Sequence, residues 1–160
     1  MKNLSSKSDW NQNQVDAFLK SSRIPIRIAV DDGDYPLICS VWYQYRDDTL
    51  CIVSHRSSKL AKLLAARGRC AFEIAPNEPP YQGVRGKAQV SSNRENAEST
   101  LLSLIDRYLG GTNQSLAKWL LSRVDDELEF VLAPTWVTSW DYGGRMEDAT
   151  EGESKMFCAT

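Results

Sequence analysis

Apolar residues along this chain switch period repeatedly, and each switch marks a change of element. Trp10, Val15, Phe18 and Leu19 share one helical face and predict a short leading helix over 9–21, after which Pro25 forces extended backbone. From there Ile24, Ile26, Ile28 and Val30 alternate with Pro25, Arg27 and Ala29, the period of a half-buried strand. Asp31-Asp32-Gly33-Asp34 reads as a turn and 36–45, rich in β-branched and aromatic residues, as one long returning strand, so the two predict a hairpin. Arg46-Asp47-Asp48-Thr49 is a second turn and 50–53 a third strand; 60–67 is an amphipathic helix carrying Leu60, Leu63 and Leu64, closed by Gly68.

The second half repeats the alternation of elements without repeating any sequence. Residues 71–75 predict a fourth strand, Pro76, Pro79 and Pro80 a rigid loop, and 81–90 a fifth strand in which Gly83 and Gly86 allow a bulge or the close approach of a ligand. Ser92 with Glu95 reads as a capping box for a helix through Leu101, Leu104, Ile105, Tyr108 and Leu109, stopped by Gly110-Gly111. A third helix holds Leu116, Trp119 and Leu120. The closing strand, 127–138, sets Leu128, Phe130 and Leu132 against an outward row of Glu127, Glu129 and Val131. Six strands joined mostly by tight turns, with helices inserted between them, predict a mainly β protein: an antiparallel barrel over 24–142, preceded by a helical arm over 1–23 and followed by a polar, Gly-containing tail over 143–160.

Composition narrows the class. A chain of 160 residues with 42% hydrophobic and 25% charged residues buries the core of one domain without help from disulfides or metal. A net charge of -2 excludes nucleic-acid binding by phosphate neutralisation, which needs a basic face. No apolar run approaches the roughly 20 residues of a membrane span, and the polar first nine residues lack the apolar centre of a secretory leader, so a cytoplasmic protein is expected. Cys39, Cys51 and Cys70 then read as buried, reduced thiols, with Cys158 in the tail.

Side-chain chemistry is sparse. His55 is the one histidine, and no nucleophile–base pair, metal-ligand spacing or phosphate-cradling glycine loop is present, so neither catalytic side chains nor a metal site is expected. The strand-to-helix corner Ser54-His55-Arg56-Ser57-Ser58-Lys59 gathers first-turn N–H groups, hydroxyls and two cations, as a phosphate monoester requires.

The order of these motifs resembles the pyridoxamine 5'-phosphate oxidase-like family of flavin-binding split barrels, from about Ile24 to Trp140. The residues that carry the resemblance are the hairpin Ile26 to Val30 into Leu37 to Tyr43, the corner Ser57-Ser58-Lys59, the strand Tyr81 to Ala88, the segment Arg107-Tyr108-Leu109-Gly110, and Pro134 followed by Trp140. The resemblance implies an FMN-dependent oxidoreductase acting on a small-molecule substrate as a homodimer, with a flavin at the dimer interface. It implies that Ser57, Ser58 and Lys59, helped by Arg56, hold the phosphate. Cys39, Ser40, Val41 and Trp42 would line the ring, Ile52 and Val53 would flank the ribityl chain, and Tyr81 and Trp140 would also contact the flavin, Trp140 that of the partner subunit. Deazaflavin is the alternative cofactor, and a non-catalytic flavin or haem binding module the alternative role.

Two departures from the family pattern narrow that implication. Ser58 stands where the family carries arginine, and the segment Asp141 to Asp148 retains only Arg145 as a substrate-phosphate contact, which points away from pyridoxamine phosphate oxidation itself. Independently of the resemblance, Trp10, Trp42, Trp119, Trp136 and Trp140 are more large aromatics than one small core hides, and they too favour a dimer.

Overall fold

The protein is described by a computed structural model covering residues 1–144 and 146. In chain order its elements are α1 (Gln12–Ser21), β1 (Ile26–Asp31), β2 (Pro36–Val41), β3 (Gln44–Arg46), β4 (Thr49–His55), α2 (Lys59–Arg67), β5 (Arg69–Ile74), β6 (Gln82–Asn93), α3 (Ala97–Leu109), α4 (Ser115–Leu121) and β7 (Glu127–Asp141), with a 3-10 turn (Val124–Asp126) before β7. The strands form one antiparallel sheet in the order β2-β1-β5-β6-β7-β4-β3, curled into a half-barrel with the helices inserted between strands. The expected hairpin is present, Ile26 facing Val41 and Asp31 facing Pro36.

The sheet has seven strands rather than six, because the segment expected as a single strand over 36–45 divides. Leu37, Cys39, Val41, Tyr43 and Tyr45 keep one inward phase throughout, so periodicity carries no mark of the break; what changes is the partner. β2 pairs with β1 and β3 with β4, which puts the two pieces at opposite edges of the sheet. At the joint, Trp42 stacks on Tyr108 with ring centroids 5.1 Å apart and planes 5° from parallel. The Tyr108 hydroxyl accepts from the Tyr43 N–H at 3.3 Å and donates to the Tyr43 carbonyl at 3.4 Å.

Tertiary pairing also overrides the expected cap at Ser92. β6 continues through it, Ser92 opposite Phe130 and Asn93 opposite Glu129, and α3 starts only at Ala97. Glu95 donates its N–H to the Asn93 side chain at 2.8 Å instead of completing a box. A reciprocal capping box does exist at α1, where Asn11 and Gln14 satisfy each other's backbone N–H groups. Arg107 then clamps the far end of α1, donating to the carbonyls of Lys20, Leu19 and Ser22 while its guanidinium lies over the rings of Tyr43 and Tyr108.

The main core fills the barrel with Ile26, Ile28, Val30, Leu50, Ile52, Leu64, Phe72, Ile74, Val84, Phe130 and Leu132, and α1 caps one end with Val15 and Leu19. Met1 is buried in the same cluster, its ammonium paired with Asp16 and, at 2.8 Å, with Asp48, whose carboxyl it holds below its ordinary value. Gly83 and Gly86 do allow a close approach, though by the protein itself: the Trp140 ring and Ala75 sit over Gly83, and the Phe72 ring over Gly86. The bulge falls next to them, between Lys87 and Ala88.

Cys51 and Cys70 are buried as expected, whereas Cys39 is only half-buried because β2 is an edge strand. Burial pushes the Cys70 thiol up to about 12 and raises that of Cys51, so neither is a ready nucleophile. Cys158, Arg145 and most of the tail lie outside the described residues. Among the described residues, no helix is long and apolar enough to cross a membrane.

Candidate functional site

β4 runs to His55, so Ser54 and His55 belong to the strand and the corner proper is Arg56-Ser57-Ser58. Ser58 caps α2, accepting from the Ala61 N–H at 3.0 Å, and its hydroxyl lies 2.9 Å from that of Ser54. His55 turns back on the loop: its Nδ1 accepts from the Ser57 N–H at 3.2 Å and lies 2.7 Å from the Ser57 hydroxyl. Both cations already face carboxylates. Arg56 pairs with Asp126 at 2.7 Å, and Lys59 reaches across to Asp32 in the β1–β2 turn. These pairs are largely exposed, and exchanging such a carboxylate for a ligand phosphate costs little, since exposed ion pairs contribute about 0–1 kcal/mol.

A pocket of about 280 Å3 opens along the strands that lead to the corner, Glu127 in its wall being paired with His55. β2 and the joint after it supply Ser40, Val41 and Trp42, β4 supplies Val53, and β7 supplies Glu127. Its remaining wall comes from α3 and α4 through Leu101, Leu104, Leu116 and Leu120. Four of the residues expected around the cofactor ring and chain, from β2, the joint after it, and β4, which is not β2's neighbour in the sheet, are thus brought together.

Other expected contacts lie elsewhere. Cys39 packs against the main core, and Ile52 is wholly buried within it. Tyr81 and Trp140 lie together beside a second hollow of about 230 Å3, with Arg27 and Gln82. The Arg27 guanidinium there is occupied by Glu73, Asn77 and the Ala75 carbonyl. Arg85 lies over the Trp140 ring, 5.4 Å from its centroid.

Glu127 is the polar residue that pattern reading placed on the outside and the structure places inside. It is 6% exposed, and burial raises its carboxyl above the ordinary value, with His55 and Arg123 pulling it down and Asp126 pushing it up. Glu129, two residues on, is wholly buried as well, so the alternate row of β7 faces α3 rather than water. A covering helix with apolar residues on a broad face, Leu101, Leu104 and Ile105, was the available signal that the strand beneath it has two buried faces.

No protein-family model and no curated protein sequence matches the chain. Solved structures do. The conserved hypothetical protein Rv2991 from Mycobacterium tuberculosis superposes with a TM-score of 0.72 at 18% identity, over 89% of this chain and 91% of that one. An F420 reductase gives 0.60 at 20% identity, over 75% and 93%. A candidate pyridoxamine 5'-phosphate oxidase from Listeria innocua gives 0.62 at 12% identity, over 79% and 95%. The curled antiparallel sheet, its inserted helices and these superpositions together identify the fold of this chain as the split barrel of the pyridoxamine 5'-phosphate oxidase-like proteins.

Proposed function

We propose that the protein is a flavin-dependent oxidoreductase of small molecules that binds a phosphate-bearing flavin, FMN or a deazaflavin, and works as a homodimer. The observation that carries this reading is an apolar pocket holding Ser40, Val41, Trp42 and Val53 whose Glu127 pairs with His55, the last strand residue before the donor-rich corner at the start of α2. The residues fit the group. Ser57, Lys59 and the first-turn N–H groups of α2 are phosphate donors, while Trp42 and the leucines exclude water from a ring. When bound, the flavin supplies two-electron transfer; the chain's own task is to hold and orient it. The similarity to an F420 reductase and to a candidate pyridoxamine 5'-phosphate oxidase supports both cofactor types.

The dimer in this reading is supported by the outer face of the sheet, where Ile38 is 66% and Trp136 39% exposed. On this reading the partner's face would bring Tyr81 and Trp140 toward a flavin held mainly by the other subunit. Freshly purified protein is expected to release FMN or a deazaflavin on denaturation, identified by mass spectrometry, and to run at twice its chain mass in light scattering. A colourless protein that releases nothing and takes up neither cofactor overturns the reading.

Lys59→Ala separates the phosphate site from a plain helix cap. It is expected to weaken FMN binding about tenfold in a fluorescence titration, the lower end of the about 1.5–3 kcal/mol of a charged hydrogen bond, because Lys59 is 63% exposed. An unchanged affinity reduces Ser57-Ser58-Lys59 to an N-cap.

A further inference from the structure

Glu127 stands out among the acidic residues of this chain. It is more than nine-tenths buried, it lines the apolar pocket, and among the described residues no side chain or backbone group hydrogen bonds its carboxyl. Glu129, buried beside it, differs: one of its carboxyl oxygens receives both Arg46 at 2.7 Å and Thr100 at 2.6 Å. A carboxyl set in an apolar wall without such partners keeps only the water that the pocket admits, and a ligand that brings a donor replaces that water.

We infer that Glu127 is the polar anchor of a ring-binding subsite beneath α3 and α4, accepting a hydrogen bond from an N–H or O–H on an otherwise apolar ring. The pocket's volume, about 280 Å3, lies near the lower end of ligand sites. The wall offers little else polar: α3 and α4 present leucines, β4 presents Val53, and β2 adds Ser40. A ring without a donor would leave the carboxyl unpaired and is disfavoured; a ring bearing a carboxylate would be repelled. The flavin and an aromatic substrate are the two sources of such a donor ring, which the test below distinguishes, and the proposal rests on the preceding reading only in taking this pocket as part of the functional site.

Titration gives the subsite a signature. A donor pairs with the ionised carboxyl, so affinity is full above the pKa of Glu127 in the free protein and falls as pH drops through it. Because burial raises that pKa, the fall begins at a higher pH than for an ordinary glutamate. The charged groups facing Glu127 are His55, opposite it on β4, with Arg123 and Asp126 from the turn before β7, and Arg56 pairs with Asp126 beyond them.

The test is calorimetric titration of the full chain with two probe pairs: lumiflavin, a flavin ring without phosphate, against 3-methyllumiflavin, and indole against 1-methylindole. The donor-bearing member of at least one pair is expected to bind about tenfold more tightly at pH 8 and to lose that advantage on acidification. Glu127→Gln should abolish the pH dependence and most of the preference, whereas His55→Gln should keep the pH dependence. Discrimination within the lumiflavin pair alone assigns the subsite to the cofactor ring, and within the indole pair alone to a substrate.

Equal affinities within both pairs, no binding of any probe, or a pH dependence that survives Glu127→Gln overturns the inference. If Glu127→Gln does not fold, the wild-type pairs and their pH dependence decide. FMN bound equally by wild type and Glu127→Gln, with no discrimination, overturns the subsite and leaves the flavin reading standing. Discrimination by indole in a protein that binds no flavin does the reverse.

Discussion

Arg46→Ala is expected to lower folding stability by about 3 kcal/mol in urea denaturation, the lower end of the about 3–5 kcal/mol for removing one partner of a buried ion pair. Glu129 is wholly buried, and Arg46 and Thr100 both donate to one of its carboxyl oxygens, while the other has no partner among the described residues. Without Arg46 the carboxylate is left uncompensated between β7 and α3 and must protonate or draw in water. The lower end applies because the Arg46 side chain is 37% exposed and water can follow it into the gap. Arg46→Met combined with Glu129→Leu should recover most of the loss, since a well-packed apolar pair replaces a buried ionic one at little cost. A loss below about 1 kcal/mol for Arg46→Ala would mean that Glu129 is already hydrated.

Gly86→Ala is expected to cost about 3 kcal/mol, the upper end of overpacking in a filled core, and to lower the thermal midpoint accordingly. A methyl group there would lie 2.5 Å from the Trp136 carbonyl oxygen and 2.6 Å from the Phe72 ring. The ring can move aside, but the carbonyl belongs to the strand paired with Gly86, so relief requires opening the β6–β7 ladder. For that reason Phe72→Leu should restore only a small part of the loss. A thermal midpoint unchanged by Gly86→Ala would contradict the close packing of these strands.

Much of the barrel was legible because alternation and turn chemistry act locally. Asp31 to Asp34 turned the first hairpin as expected, and Gly68 ended α2 in the left-handed conformation. Three features were decided by distant partners. The strand over 36–45 split without any change of phase, since both pieces face the same core. Ser92 and Glu95 have cap chemistry, but the ladder to Phe130 and Glu129 prevailed. Glu127 and Glu129 alternate as solvent-facing residues do, and only the placement of α3 over them, with Arg46 arriving from β3, makes that row internal. At the site, the family resemblance implies Ser40, Val41, Trp42 and Val53, which share the pocket, whereas the leucines of α3 and α4 that complete its wall carry no signal beyond a helix's apolar face.

The joint at residues 42–43 bears on how this sheet avoids recruiting foreign strands. An open sheet exposes two rows of unpaired backbone groups, each able to accept another chain. Here the outermost strands are consecutive in the chain, and β3 is only three residues long. Between them, the Tyr43 backbone groups are taken by the Tyr108 hydroxyl. A side chain thus stands in for a missing rung of the ladder. It shields the gap from an incoming strand while leaving, beside Trp42, a space that no strand fills and a small molecule can enter.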